Sequence, residues 1–240
     1  MLCKNTYRNL KRKIIINESN EELIAIPNEF LRYEPHPYES IGAPYKDKSP
    51  FYLRQGVVDK LRESAKKLDM LKSGYKLKIF DAFRPIEVQK FMIDYDKERI
   101  ALERYDTSFD TLQVDEQNEV LAFVQTFWSP ISEELELNPP PHSTGAALDV
   151  TIVDENGIEL DMGTKIDELS ELSYSDYFEN SDTLYQENRD LLYKVMSYAG
   201  FVQLPTEWWH FSYGDQIWAI YENTVSKKSI SAKYGLYNLH

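Results

Sequence analysis

The spacing of apolar positions along the 240-residue chain changes several times, and each change predicts an element. Lys13-Ile-Ile-Ile16 and Leu23-Ile-Ala-Ile26 are short apolar runs separated by the polar stretch Asn17 to Glu21, which predicts two strands and a turn. From Pro27 to Pro50 the chain is rich in Pro and Tyr without a clear period, so an ordered aromatic loop is expected, placed to cover something. Val58, Leu61, Ala65 and Leu68 recur every three or four residues with Asp59, Lys60, Arg62 and Glu63 between them, the pattern of a helix with one solvated face. Gly74 ends that element, and Leu77 and Ile79 then alternate with Lys76, Lys78 and Phe80 as in a strand. Arg84 falls just past the strand, and Pro85 suits the opening of a helix that carries Val88, Phe91, Met92 and Tyr95 inward. A further helix is predicted from Gln117 to Phe127.

Pro139-Pro-Pro141 predicts extended backbone immediately before His142, because proline fixes its own φ and restricts the residue before it. Leu148, Val150 and Ile152 alternate with Asp149 and Thr151, the period of a half-buried strand. Glu155-Asn-Gly157 is a hairpin signal, so Ile158 to Met162 should return antiparallel. The last clear helix runs from Asp190 to Tyr198 and stops at Gly200, and a strand through Trp208 to Tyr213 follows. Neither an internal repeat nor a low-complexity linker is visible. The simplest architecture is α+β, one domain over residues 1–240, with residues 1–50 an N-terminal strand and aromatic-loop region.

Composition narrows the partners. Hydrophobic residues make up 42% and aromatic residues 13%, which supports a sizeable core and argues against disorder. A net charge of −13 would repel a phosphate backbone, so no nucleic-acid partner is expected. Cys3 is the single cysteine, so an intrachain disulfide and a thiolate metal cage are both excluded. The basic segment Met1 to Lys13 lacks the apolar run of a secretory signal, and nowhere do 18 apolar residues run together. A soluble cytoplasmic protein without a membrane partner is the expectation, and a homo-oligomer is compatible with it.

Three short stretches carry the candidate chemistry: Asp81-Ala-Phe-Arg-Pro85, His142-Ser-Thr-Gly-Ala-Ala-Leu-Asp149 and Glu207-Trp-Trp-His210. A catalytic zinc takes three protein ligands and keeps a fourth position open. His142, Asp149 and His210 can supply the ligands for one Zn2+ per chain. Glu207 is then left to handle protons and Arg84 to neutralise developing negative charge. The spacing sets two conditions on the fold. His142 lies seven residues before Asp149, too far along a straight strand, so the chain must turn back at Gly145. Glu207 and His210 would sit on opposite faces of a regular strand, so the backbone must bend after Pro205. Trp208 and Trp209 read as core and pocket wall. His36 and His240 read as ordinary surface or core histidines.

With these motifs in this order the chain resembles the D-alanyl-D-alanine dipeptidases of the vancomycin-resistance type, within the zinc D,D-peptidases related to the Hedgehog signalling domain. The resemblance runs from about Tyr52 to Asp215 and takes in Asp161-Met-Gly-Thr164 with Asp167, and Phe211 after His210. It implies a Hedgehog/D,D-peptidase-like fold with a central antiparallel sheet flanked by helices, and zinc held by His142, Asp149 and His210. It further implies Glu207 as the acid and base acting on a zinc-activated water, Arg84 stabilising the tetrahedral intermediate, and Asp167 holding the ammonium of a small dipeptide. The hairpin at Asn156-Gly157, which returns the chain toward Asp149, supports that place for Asp167. The implied reaction is hydrolysis of D-Ala-D-Ala or a close D,D-dipeptide, in cell-wall turnover or glycopeptide resistance. A D,D-carboxypeptidase or peptidoglycan endopeptidase is the neighbouring alternative, and a zinc-containing binding module without turnover is a third, disfavoured by the presence of Glu207 and Arg84. One departure stands out: the family often has a serine two residues before its first zinc histidine, where this chain has Pro140. Proline offers neither hydroxyl nor N–H, and Ser143 and Thr144 are the nearby hydroxyls that could meet substrate instead.

Overall fold

The computed structural model describes residues 10–46, 49–181 and 183–237; Cys3 and His240 lie outside them. The two amino-terminal apolar runs do not pair with each other. Strand β1 (Leu23–Ala25) pairs antiparallel with β3 (Tyr52–Arg54), and the Lys13–Ile16 run contributes a single bridge, Ile16 to Ala232, with Ile15 left exposed. A run of three isoleucines has little patterning with which to specify a partner.

The central sheet has the order β2-β4-β5-β7-β6, formed by Leu31–Arg32, Lys76–Asp81, Ala147–Val153, His210–Ser212 and Val202–Gln203. Only the β2–β4 edge is parallel; the other pairings are antiparallel, so the sheet is antiparallel at its centre and mixed as a whole. The aromatic segment before β3 is more ordered than its sequence suggests, since it holds β2 and a one-turn helix, α1 (Pro37–Ser40). β5 is buried along its whole length, a correction to the half-buried reading. Its Leu148, Val150 and Ile152 join the larger apolar cluster, while Asp149 and Thr151 on the other face are covered as well.

Helix α2 (Gln55–Leu71) packs on α5 (Leu184–Tyr198) and buries Val57, Val58, Leu61 and Leu68. Helices α3 (Ile86–Tyr105) and α4 (Val114–Phe127) build a second cluster with Tyr38, Tyr45 and Trp128. Val88, Met92, Asp96 and Ile100, spaced by four, form the buried stripe of α3. Tyr95 lies one step off that stripe and is exposed, contrary to the inward expectation. Helix α5 starts well before Asp190, capped by the Thr183 hydroxyl, and α6 (Gln216–Ser226), capped by Asp215, was not anticipated.

The turn at Asn156-Gly157 forms, with Gly157 at φ +80 and Asp154 Oδ1 accepting the N–H groups of Asn156 and Ile158. The return beyond it is antiparallel but makes one bridge, Val153 to Glu159, rather than a strand through Met162. From Asp161 the chain leaves the sheet and runs irregularly to α5. Buried Arg189 on α5 pins this segment by donating to the carbonyls of Met162, Leu172 and Tyr174 at 2.8–2.9 Å. No helix among the described residues is long and apolar enough to cross a membrane.

Candidate metal centre and active site

Register brings the ligand set together. Asp149 on β5 and His210 on β7 are direct partners in the antiparallel ladder, so their side chains leave the sheet side by side. His142 opens a 3-10 turn, His142–Thr144, and the backbone before it is not extended: Pro141 has helical angles, φ −53 and ψ −51, which its ring accommodates readily. Gly145 then takes φ +71, where a Cβ would run into Leu23, and this reversal carries the imidazole back over Asp149.

The donor atoms of His142, Asp149 and His210 all lie within 4.8 Å of one another, and this is the one such group among the described residues. His142 Nε2 is 3.1 Å from His210 Nδ1 and 3.4 Å from Asp149 Oδ2, and His210 Nδ1 is 3.1 Å from Asp149 Oδ1. The outer nitrogens are engaged elsewhere. His142 Nδ1 meets the Ala82 carbonyl at 2.7 Å, and His210 Nε2 meets Ser212 Oγ at 3.4 Å, whose own proton goes to Asp215. That network leaves a lone pair on each inner nitrogen beside an ionised carboxylate. Burial opposes the charge on Asp149, but His142 and His210 hold its carboxyl far below the usual range. Three converging donors, with both imidazoles oriented from behind, fit a zinc ion, which they would hold.

The required bend is also present. Glu207 sits in the turn between β6 and β7, where its N–H bonds the Leu204 carbonyl at 3.2 Å and its own carbonyl accepts from His210 N–H at 3.3 Å. Glu207 Oε2 therefore lies 3.8 Å from His210 Nδ1, beside the ligand set.

Arg84 faces the ligands from the other side. Its guanidinium bonds Asp81 Oδ2 through Nη2 at 2.6 Å and Nε at 3.0 Å, bonds Gln89 at 3.0 Å, and reaches within 3.6 Å of Asp149 Oδ2. The rings of Trp128 and Tyr38 lie 4.7 and 5.2 Å from its carbon. Burial alone would raise the Asp81 carboxyl, but Arg84, with His36 and His142, more than offsets this and holds it at about 2. The β4–β5 ladder slips between Ile79 and Asp81, which makes Asp81 the partner of Asp149 and sets both carboxylates against one guanidinium.

Asp167 closes the pocket at a further wall. It lies in the irregular segment at φ +64, accepts a hydrogen bond from the Tyr38 hydroxyl, and that hydroxyl is 3.4 Å from Arg84. Burial first and the nearby Asp149 second push its carboxyl up to about 8. Arg84, His142, Asp149, Asp167, Glu207 and His210 all line one pocket, with apolar walls from Trp128, Leu169 and Trp209.

The two hydroxyls expected near substrate do not reach that pocket. Ser143 Oγ donates to the Arg84 carbonyl at 2.8 Å, and Thr144 Oγ1 donates to the Pro141 carbonyl at 2.6 Å while accepting the Ala146 N–H. Both are tied into the turn that shapes His142, because a tight 3-10 turn leaves backbone groups for short hydroxyl side chains to satisfy. Asp81, Tyr38 and Ser212 were not singled out from sequence, although Asp81 heads the stretch that contains Arg84.

Residues 32–230 match the family described as D-ala-D-ala dipeptidase. The chain belongs to this family of peptidases. A D-alanyl-D-alanine dipeptidase of Synechocystis sp. is 40% identical over 217 residues, covering 86% of this chain and 87% of that protein. A D-alanyl-D-alanine dipeptidase of Escherichia coli is 46% identical over 70 residues, 29% of this chain and 36% of that protein. Among solved structures, the vancomycin-resistance D,D-pentapeptidase VanY, in complex with Zn(II), aligns with a TM-score of 0.48 at 12% identity, covering 91% of each chain. The LdcB LD-carboxypeptidase aligns with a TM-score of 0.44 at 14% identity, covering 88% of this chain and 76% of that one. Within the dipeptidase family match lie all three stretches that carry the ligand set, Glu207 and Arg84.

Proposed function

We propose that this chain is a zinc dipeptidase that hydrolyses D-Ala-D-Ala or a closely related D,D-dipeptide, in cell-wall turnover or glycopeptide resistance. The observation that carries the reading is one pocket in which the His142, Asp149 and His210 donors converge between Glu207 and Arg84, with Asp167 as an end wall. His142, Asp149 and His210 would hold the zinc ion, which would supply Lewis-acid chemistry and lower the pKa of water there to about 7.

The remaining work falls to side chains of this chain. Glu207, 3.8 Å from His210 Nδ1, is placed to take the proton of the attacking water and to return it to the leaving amine. Arg84 is locked by Asp81 and Gln89 before substrate arrives, so it meets negative charge on the carbonyl oxygen without reorganising. Burial and Asp149 push the Asp167 carboxyl up to about 8 against the weaker pull of Tyr38 and Arg84, and the ammonium of a dipeptide would add a countercharge through a direct charge-assisted hydrogen bond. A longer peptide presents a neutral amide at that point and leaves Asp167 holding its proton without an ion pair, so the charge-assisted contact that a free dipeptide gains is missing. The D,D configuration is supported by the D-alanyl-D-alanine dipeptidases to which the chain is similar.

Zinc-loaded protein is to be incubated with D-Ala-D-Ala, L-Ala-L-Ala and a pentapeptide ending in D-Ala-D-Ala, each with and without chelator. Chelator-sensitive cleavage of the free D,D-dipeptide alone is expected. Cleavage of the pentapeptide in preference would transfer the protein to the carboxypeptidases, and an inert D-Ala-D-Ala would sink the proposal.

A further inference from the structure

His36 is a buried imidazole that the proposed reaction leaves unused. It stands at the start of α1, 1% exposed, inside a box of four aromatic rings: Tyr38, Tyr45, Phe51 and Phe80, with centroids 5.1, 5.6, 5.4 and 6.1 Å away. Such a box would pack a phenylalanine as well as a histidine, so packing does not explain the two ring nitrogens. Nδ1 accepts the Tyr38 N–H at 3.2 Å, which puts the ring proton on Nε2. That N–H faces Asp81 Oδ1 at 3.4 Å, a close polar contact that is not aligned as a hydrogen bond, and it makes no hydrogen bond among the described residues.

Asp81 is the hub behind the site. Oδ1 takes the Tyr45 hydroxyl at 3.0 Å and faces His36; Oδ2 takes both contacts from Arg84 and lies 3.6 Å from His142 Nδ1. A carboxylate is planar, so whatever holds Oδ1 also sets the direction in which Oδ2 presents itself to the guanidinium.

We propose that His36 is a positioning residue that, through Asp81, aims Arg84 into the pocket. The ring works from both edges. Nε2 stands 3.4 Å from the carboxylate that grips Arg84, where its N–H dipole favours that orientation of Asp81, and Nδ1 fixes the backbone of Tyr38, whose side chain lies against Arg84 and whose hydroxyl reaches Asp167. The importance of Arg84 for turnover rests on the function proposed above; the structural link from His36 to Arg84 does not.

Three substitutions separate the link from simple packing. His36→Phe fills the aromatic box but has no donor. His36→Asn can keep an acceptor for Tyr38 N–H but is too short to reach Asp81. His36→Gln carries an amide N–H about as far as Nε2. Phe and Asn are expected to bind zinc normally and to lower kcat on D-Ala-D-Ala by about 10–100-fold, the usual cost of losing an outer-shell partner, with KM little changed. Gln is expected to recover most of the loss. In an Arg84→Ala background, His36→Phe should cost nothing further, because the residue it acts through is gone. Independently of any substrate, the Arg84 Nε–H resonance should be sharp and protected from exchange in the wild type and the Gln variant, and broadened in the Phe and Asn variants. An unchanged Arg84 resonance in both of those variants would overturn the link. So would the same kcat loss from His36→Phe with and without Arg84. A wild type that leaves D-Ala-D-Ala intact while the resonance behaves as described would overturn the function and keep the link.

Discussion

The side of the pocket that carries His142, Asp149 and His210 and the wall that carries Asp167 are built by different means. Asp149 and His210 are opposite residues of one antiparallel ladder, and His142 is turned over them by a glycine in the left-handed region, so backbone register sets their separation. Asp167 has no ladder beneath it. Its segment is irregular, starts after the lone bridge from Val153 to Glu159, and keeps its place through Arg189, buried against three carbonyls, and the Tyr38 hydroxyl. The convergence of the three donors rests on the sheet; the position of Asp167 rests on a pinned loop. A change in the loop can therefore move Asp167 without disturbing the donor group.

The strongest way to break the donor side is to remove its proposed proton carrier. Glu207→Gln should keep zinc and lose about 10²–10⁴ in kcat, the range for general acid–base catalysis, whereas His210→Ala should lose the metal as well. Turnover read beside metal content decides this, and a Glu207→Gln enzyme with wild-type kcat would remove Glu207 from the mechanism. Arg84→Lys keeps a charge but gives up the fork that grips Asp81 and Gln89, so about 10²–10³ in kcat should go while zinc stays.

On the loop side, Asp167→Asn should lower kcat/KM for the free dipeptide by about 10–100-fold, the worth of a hydrogen bond to a charged group, and leave metal binding intact. The same substitution should stabilise the metal-free protein. The unfolded chain releases the Asp167 proton near the ordinary value of 3.8 and the folded one holds it to about 8, so the folded state weakens as pH rises between those values. The melting temperature of Asp167→Asn relative to wild type should therefore climb from pH 5 to pH 8; a flat difference would contradict the burial of that carboxyl. Asparagine tolerates the φ of +64 found there, so backbone strain does not confound the comparison.

Arg189→Met keeps apolar bulk beside Phe178 and Trp208 but orphans the carbonyls of Met162, Leu172 and Tyr174. At about 1–3 kcal/mol for each buried acceptor that finds no new partner, the melting temperature should fall by several degrees, and KM should rise more than kcat falls. The smallest effect is expected from Ser143→Ala. Its hydroxyl serves the Arg84 carbonyl, so about 1 kcal/mol of stability should go with no more than a slight rise in KM. A large KM effect would return Ser143 to the substrate side.

Much of the site could be read along the chain because its residue types are few and chemically particular. With two central histidines, two flanking carboxylates and one arginine at the ends of predicted elements, the conditions on the fold could be stated in advance. The turn at Gly145 and the bend after Pro205 meet them. The positioning groups were harder to read. His36 looked like an ordinary histidine because its partner, Asp81, is 45 residues away and only the β2–β4 edge with its aromatic loop brings them together. Ser143 and Thr144 looked available because sequence proximity to His142 says nothing about which backbone carbonyl a short hydroxyl will find. The Lys13–Ile16 run and the Ile158–Met162 return had strand-like composition, yet neither has enough specific patterning to secure a full partner.

By itself, the sequence determined the kinds of donor, the elements that carry them, the family and, through its single cysteine, that no multi-thiolate cage can be built within the chain. A period of two or of 3.6 states which face a residue takes, and this local property survives without knowledge of the rest of the chain. Tertiary structure alone decided that Asp149 opposes His210, that Asp81 grips Arg84 with His36 behind it, and that Asp167 stands at the far wall under the hold of Arg189 and Tyr38. Each of these is a pairing across tens of residues, set by strand register and by buried polar groups seeking partners, and spacing along the chain carries no record of that choice.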